Sequence, residues 1–306
     1  MEITSIFKHP DVQFFPKADL TKYSTFEMSS FGDLYKIFSL EGLLSILEFL
    51  KRKNLSYFIL GNGSNVIFPE NFVIPVLKLC FKTELVHLHE KHLEEGETDW
   101  LNCNTLLNKL TAMAIKYNLL GWEAFTGIPA TLGGAIYMNA GTSLGSIGPL
   151  VRSLKIYRKK SHSIEEYVPQ KQDFAYRKNF ILEEGDIFLQ AKLQYKEASP
   201  DAPLQSKVIQ NYLKFRNETQ PMNQKSCGCL FKNPLNRPPA GKILEDLGLK
   251  GFEYKGFQLS QKHANYLVNN SSQVLTRENL RKFIQIIQGK VKQNLGINLE
   301  LEVILL

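Results

Sequence analysis

The stretch KSCGCLFKNP, residues 225–234, sets Cys227 and Cys229 one residue apart, between a serine and a Phe-Lys-Asn-Pro corner. Thiols at this spacing could supply half of a metal site, form a disulfide, act as an acid or nucleophile, or fill buried space. A closed structural zinc site needs four Cys or His ligands. Only Cys80 and Cys103 remain as further cysteines, and no second metal-type pair lies nearby. A bond between Cys227 and Cys229 would close a ring too tight for relaxed disulfide geometry. On these residues alone, chemistry at the thiol and inert burial both stay open. The intervening Gly228 and the polar Lys232 and Asn233 give the stretch the composition of a binding turn.

Other segments carry chemistry-bearing types. GNGSN (61–65) follows an apolar run, but Val66 fills the last position of a G-x-G-x-x-G pattern and no helical pattern follows, so a Rossmann fingerprint fails on context. What remains is a turn whose backbone N–H groups could face an anion, or a plain hairpin turn. TGIPATLGGAIYMNAG (126–141) holds Gly127, Gly133, Gly134 and Gly141, which allow the backbone to approach a flat cofactor or a pyrophosphate. Helix-to-strand packing through small residues would use the same glycines. FAYRKNF (174–180) puts Arg177 beside Tyr176, and the arginine fork suits a carboxylate or a surface ion pair. HLHEKH (87–92) sets His87 and His89 on one face if extended, with His92 on the other, a pattern better suited to an exposed strand or hairpin than to a metal.

These residues need elements to position them. SLEGLLSILEFLKRKN (39–54) predicts a helix capped by Ser39, with Leu40, Leu43, Leu44, Leu47 and Leu50 as its stripe. LSYFILG (55–61) reads as a buried strand, and a second helix is expected near 105–118. Short strands follow, including SLKIYR and DIFLQAKLQY, and two prolines in EASPDAPLQ (197–205) mark a domain boundary. Beyond it come helices at 205–217 and 238–251, then one at 276–296 with Leu280, Phe283, Ile284, Ile287 and Val291 inward and Gly296 as its stop. INLELEV (297–303) alternates with period two, so a strand would put Asn298, Glu300 and Glu302 on one face. The irregular mixture argues for α+β layers.

Composition bounds the rest. The 306 residues are 43% hydrophobic and 11% aromatic, enough for real cores in two or three modest domains. Thirty-seven Lys and Arg against 30 Asp and Glu give +7, yet the charges scatter without a long basic block. No signal-peptide pattern opens the chain and no apolar run reaches membrane-spanning length. Four cysteines are no disulfide framework, so a reducing cytoplasm is expected.

In order along the chain, LGNGSNVIF, GWEAFTGIPATLGGAIYMNAG, FAYRKNF, CGCLFKNP, AGKILEDLGLKG, LSQKHANYLVN and LGINLELEV resemble the MurB flavoenzymes, the UDP-N-acetylenolpyruvoylglucosamine reductases; the resemblance runs from about Leu20 to Val303. It implies an α+β fold with a two-part FAD-binding domain of the vanillyl-alcohol-oxidase (PCMH) type over 1–199, its parts near 1–80 and 81–199. A smaller α+β substrate-binding domain with a C-terminal catalytic strand would occupy 200–306. FAD would be held by Gly61, Asn62, Gly63, Ser64 and Asn65, and by Gly127, Ile128, Pro129, Gly133, Gly134, Asn139 and Gly141. NADPH would be the hydride donor, and the enolpyruvyl group of UDP-N-acetylglucosamine-enolpyruvate would be reduced to UDP-N-acetylmuramate for peptidoglycan synthesis. Carried over by motif, the family's arginine falls on Arg177, its glutamate on Glu302 and its proton-donating serine on Cys229, with Lys232 and Asn233 binding substrate. The resemblance further implies a monomer in the cytoplasm with no metal, nucleic acid or membrane partner.

The short interval from Arg177 to Cys229 resembles the loop-less (type II) branch. Departures are EMSSFG (27–32) where the family has a glycine pair, Ala130 for a common glycine, Asn179 for a serine, and Ile304 for a basic residue.

Overall fold

The computed structural model describes residues 7–82, 95–199, 201, 203–271 and 273–306. The histidine-rich segment 87–92 lies outside the described residues. The chain forms two compact units that interleave in sequence: Met1–Pro16, Asp33–Gly61 and Ile74–Leu213 in the first, Lys17–Gly32, Asn62–Val73 and Lys214–Leu306 in the second. The linear cut expected at 199/200 therefore does not coincide with the compact units. Short excursions of the N-terminal third join the second unit, and the helix Gln205–Thr219 begins in the first and ends in the second.

In the first unit the helix Leu40–Arg52 starts where Ser39 Oγ accepts the Gly42 N–H at 3.0 Å. It buries Leu43, Ile46, Leu47 and Leu50, whereas Leu40 and Leu44 are exposed. The expected stripe thus turns by one position, because 3.6 residues per turn favours Ile46 over Leu44 on this face. A five-stranded antiparallel arrangement centres on Ile187–Lys196, which pairs with Val151–Arg158 on one side and with Glu95–Glu97 and Leu101–Asn102 on the other. Its core holds fully buried Trp122, whose Nε1 donates to the Gln194 carbonyl at 2.8 Å. The helices Leu107–Lys116 and Leu132–Tyr137 belong to the same core.

In the second unit an antiparallel sheet runs in the order Ser226–Cys229, Tyr266–Val268, Phe257–Leu259, Glu253–Tyr254. The helix Arg277–Leu295 buries Leu280, Phe283, Ile284, Ile287 and Val291, the face its periodicity predicts. Thr276 Oγ1 caps it at Asn279 N, 3.2 Å, and Gly296 ends it at φ +67°. The helix Ala240–Asp246 lies where the prolines and Gly248 set its limits. The expected strand 297–303 forms only in part. Leu301 makes an isolated bridge to Phe231, and the regular strand is Ile304–Leu305, parallel to Val66–Ile67. Alternation fixed which residues face inward, with Leu299 and Val303 buried and Glu300 exposed, but not the length of the ladder.

Candidate active site

In the first unit the start of GNGSN meets the second glycine-rich segment. A Cβ on Gly61 would lie 2.8 Å from Thr131 Oγ1 and 3.8 Å from Gly134 Cα. Thr131 caps Leu132–Tyr137 by accepting the Gly134 N–H at 3.3 Å. Gly61 and Gly134 therefore give a side-chain-free backbone face beside one hydroxyl, which fits the close approach a flat dinucleotide cofactor needs. Gly127 adds a left-handed turn at φ +70°, followed by half-buried Ile128 and exposed Pro129. Other glycines have packing duties. A Cβ on Gly133 would sit 2.9 Å from Cys103 Cβ, and one on Gly141 would strike the Gly145 carbonyl in the hairpin Gly141–Ser146.

Arg177 occupies the tip of the hairpin formed by Phe174–Ala175 and Lys178–Asn179, at φ +54°, with its guanidinium 5.3 Å from the Tyr176 ring. Two asparagines tie this hairpin to the first unit's core. Asn139 Nδ2 donates to the Ala175 carbonyl at 2.8 Å while its Oδ1 accepts Gly148 N at 3.0 Å. Asn179 Nδ2 donates to the Tyr137 carbonyl at 2.6 Å. Asn139 thus positions the arginine hairpin, which its place in a glycine-rich segment did not suggest.

In the second unit Cys227 and Cys229 part company. Cys227 is 1% exposed, and burial pushes its thiol up to about 12. Cys229 is half-buried, and all four cysteines are free. Gly228, at φ +80°, makes the irregularity between Ser226 and Cys229 that separates them. The tail runs alongside: Glu302 N donates to the Leu230 carbonyl and Lys232 N to the Glu300 carbonyl, each at 2.9 Å. Glu302 is consequently brought beside the residue that follows Cys229. Glu302 is half-buried, while the Glu300 side chain is 78% exposed and faces Lys232 Nζ at 3.6 Å. Asn233 Oδ1 accepts the Ala240 N–H at 3.0 Å, a cap for the helix Ala240–Asp246 supplied from upstream.

The remaining turn residues also lie in this unit. Gly63 is buried at φ +71°, and a Cβ there would strike the Tyr23 carbonyl. Asn62 is exposed and Ser64 half-buried. Asn65 Nδ2 donates to the Glu302 carbonyl at 3.0 Å. The EMSSFG departure sits close to the cysteine strand's start, where Thr25 Oγ1 donates to the Ser226 carbonyl at 2.6 Å and Glu27 pairs with Lys225 at 3.0 Å. Hydrogen bonds from Lys22 and Lys225 hold the Glu27 carboxyl below its ordinary value.

Sequence reasoning missed two groups. Lys78 interrupts the apolar strand Asn71–Leu79, and its Nζ donates to the Gly61 carbonyl at 2.7 Å. Burial, reinforced by Lys36 and opposed by Cys80, holds this ammonium below its ordinary value. A lone cation in an apolar run was the available signal. Tyr266, Gln220 and Arg216 form the second group; they converge only through the fold, and no local pattern marks them.

Residues 220–306 match the family described as UDP-N-acetylenolpyruvoylglucosamine reductase, C-terminal domain. The protein of that name from Prochlorococcus marinus subsp. pastoris is 31% identical over 294 residues, covering 96% of this chain and 97% of its own. The one from Streptococcus pneumoniae strain Hungary19A-6 is 30% identical over 304 residues, 99% and 96% of the two chains. Among solved structures, UDP-N-acetylenolpyruvylglucosamine reductase (MurB) from Thermus caldophilus superposes with a TM-score of 0.75 at 28% identity, covering 96% of this chain and 98% of that one. Similarity at this level along nearly the whole length leaves one assignment: the chain belongs to the UDP-N-acetylenolpyruvoylglucosamine reductase family.

Proposed function

We infer that the chain carries out its family's reaction, the reduction of UDP-N-acetylglucosamine-enolpyruvate to UDP-N-acetylmuramate with FAD as cofactor and NADPH as reductant. The observation that carries this reading, beside the full-length similarity, is the pairing that brings Glu302 next to Leu230 and so beside Cys229. When bound, FAD supplies the hydride that it takes from NADPH. Gly61, Gly134 and Thr131 would hold it through backbone approach, with the Lys78 charge behind the turn. Hydride addition to the terminal enolpyruvyl carbon leaves negative charge next to the substrate carboxylate. Arg177 and Glu302 are assigned to that charge, the arginine by its fork and the glutamate as an acid, its half-buried carboxyl donating a proton towards it. Cys229 gives its thiol proton to the neighbouring carbon and regains one from solvent. Lys232 and Asn233 are assigned to the UDP-sugar. Asn233 can serve only with the capacity its helix-capping bond leaves.

The division of labour follows the family: cofactor binding by residues N-terminal to about 200, substrate binding by those after it, in the loop-less branch, as a cytoplasmic monomer. Among the described residues no helix is long and apolar enough to cross a membrane, and four free cysteines suit a reducing compartment. One experiment tests the function. The purified protein should show a flavin spectrum, and NADPH oxidation should depend on the UDP-enolpyruvyl sugar. Oxygen consumption on alcohols or sugar lactones without NADPH would replace this reading with an oxidase.

A further inference from the structure

Past Cys229 the strand Ser226–Cys229 runs out of facing backbone. Cys229 is the last of its residues to pair with Tyr266–Val268, and the residue before Tyr266 belongs to a turn. Phe231, two residues on, is fully buried, so its N–H and C=O must find partners inside the protein. Both find Asn265. Its Oδ1 accepts the Phe231 N–H at 3.0 Å, and its Nδ2 donates to the Phe231 carbonyl at 2.7 Å. A carboxamide carries an acceptor and a donor side by side, so this side chain stands where a facing strand residue would stand. The main-chain carbonyl of Asn265 adds a third bond, from the Leu230 N–H at 2.7 Å. Asn265 is itself only 1% exposed, and its own N–H donates to His263 Nδ1 at 3.2 Å.

The other edge of the same segment carries the tail. The Leu230 carbonyl accepts the Glu302 N–H, the Lys232 N–H donates to the Glu300 carbonyl, and Phe231 bridges Leu301. Residues 230–232 are therefore gripped from both sides, by Asn265 on one edge and by 300–302 on the other. Cys229 immediately precedes this segment, and Glu302 lies directly across from its first residue.

We propose that Asn265 is a positioning residue for the reaction: its buried carboxamide fixes Phe231 between Cys229 and the tail, and so sets where the Cys229 thiol and the Glu302 carboxyl stand relative to each other. The proposal rests on the reading of Cys229 and Glu302 as the acids of the site. Asn265 acts through the backbone of 230–232 and takes no part in proton or hydride transfer. Without its side chain both Phe231 groups lose their partners and the segment must shift to satisfy them. The tail, bonded to the other edge, then keeps its register to Leu230 and Lys232 but not its place beside the strand Tyr266–Val268.

The test uses the FAD-loaded enzyme in stopped flow, reading flavin reduction by NADPH and flavin reoxidation by the UDP-enolpyruvyl sugar separately. Only folded enzyme with bound flavin gives either signal, so a loss of stability alone moves neither rate constant. Asn265→Ala should leave reduction at the parent rate and slow reoxidation about tenfold, within the roughly 100-fold that a misplacement of about 1 Å can cost. Asn265→Ser, whose hydroxyl is too short to span both Phe231 groups, should fall between the parent and Asn265→Ala. It carries the test if the alanine variant does not load with flavin. Combined with Cys229→Ala, and separately with Glu302→Gln, the Asn265→Ala defect should shrink, as it does for residues that act through one another. A defect that stays undiminished in both backgrounds assigns the loss to another part of the fold and overturns the proposal. Parent-rate reoxidation by both Asn265 variants, or equal slowing of the two half-reactions, also overturns it while leaving Cys229 and Glu302 in their roles. Full-rate reoxidation by Cys229→Ala and by Glu302→Gln defeats instead the reading on which it rests.

Discussion

Asn65 donates from its side-chain amide to the carbonyl of Glu302 at 3.0 Å, and the Ile304 N–H returns a bond to the carbonyl of Asn65 at 2.9 Å. The last residue of a turn whose sequence suggests anion binding thus holds the tail that carries the candidate acid. Asn65→Ala should cost about 1 kcal/mol of stability in urea titration, one net hydrogen bond. It should also slow flavin reoxidation by substrate more than flavin reduction by NADPH. Equal slowing of both half-reactions would place Asn65 on the cofactor instead.

The two tail glutamates should separate cleanly. Glu302→Gln is expected to slow substrate reduction about 100-fold, the scale of losing one group aimed at developing charge. Glu300→Gln removes only an exposed pair with Lys232, worth at most about 1 kcal/mol, and should change the rate little. Steady-state turnover of the two variants decides between them, and a reversed order would reassign the acid to Glu300.

Asn139 and Arg177 should fail in different ways. Arg177→Ala should leave stability and flavin reduction close to the parent while slowing reoxidation by substrate about 100-fold. Asn139→Ala removes the hydrogen-bond partner of two backbone groups, the part-buried Ala175 O and the buried Gly148 N. It should therefore destabilise the fold by about 1–3 kcal/mol and disturb the arginine hairpin as a consequence. Denaturant titration alongside the two half-reactions checks this. Unchanged stability in Asn139→Ala would show that the hairpin is held by Asn179 and its strands alone.

What the sequence disclosed follows the range of the forces involved. The helix 277–295 was legible because its cap, stripe and glycine stop are all local. Trp122 and the glycines could be named, but their duties could not. Gly133 answers to Cys103 and Gly61 to Thr131, contacts between segments distant in sequence. The Tyr266–Gln220–Arg216 cluster was invisible for the same reason: its members come from a strand and the end of a helix. Burial also separated Cys227 from Cys229, which no spacing rule could do.

Cys227 gives the molecule a pH dependence of definite sign. Burial raises its thiol from 9.0 to about 12, so above pH 9.0 the unfolded chain loses a proton that the folded chain keeps. Its contribution to stability is complete below 9.0 and is lost as pH rises towards about 12. Denaturant midpoints of Cys227→Ala should accordingly decline less steeply than those of the parent between these values. Cys103, raised to about 12 by the same burial, remains in both proteins and supplies the common background.

Peroxide should find the other thiol. Oxidation requires thiolate character and access, and Cys227 and Cys103 are excluded by burial at 1% and 7% exposure. Cys229 and Cys80 are the half-buried pair. If Cys229 donates the proton, loss of turnover in dilute peroxide should track its conversion to sulfenic acid, and thiol reductant should restore activity. Cys229→Ser should keep measurable turnover, since the hydroxyl fills nearly the same place and can still donate, and it should resist peroxide. Cys229→Ala should accept electrons from NADPH normally yet reoxidise very slowly with substrate. Mass mapping of the oxidised site, with Cys80→Ala as control, distinguishes the two thiols. Inactivation that persists in Cys229→Ser and disappears in Cys80→Ala would move the sensitive group to Cys80, just past the strand Asn71–Leu79 and two residues beyond Lys78, which bonds the Gly61 carbonyl.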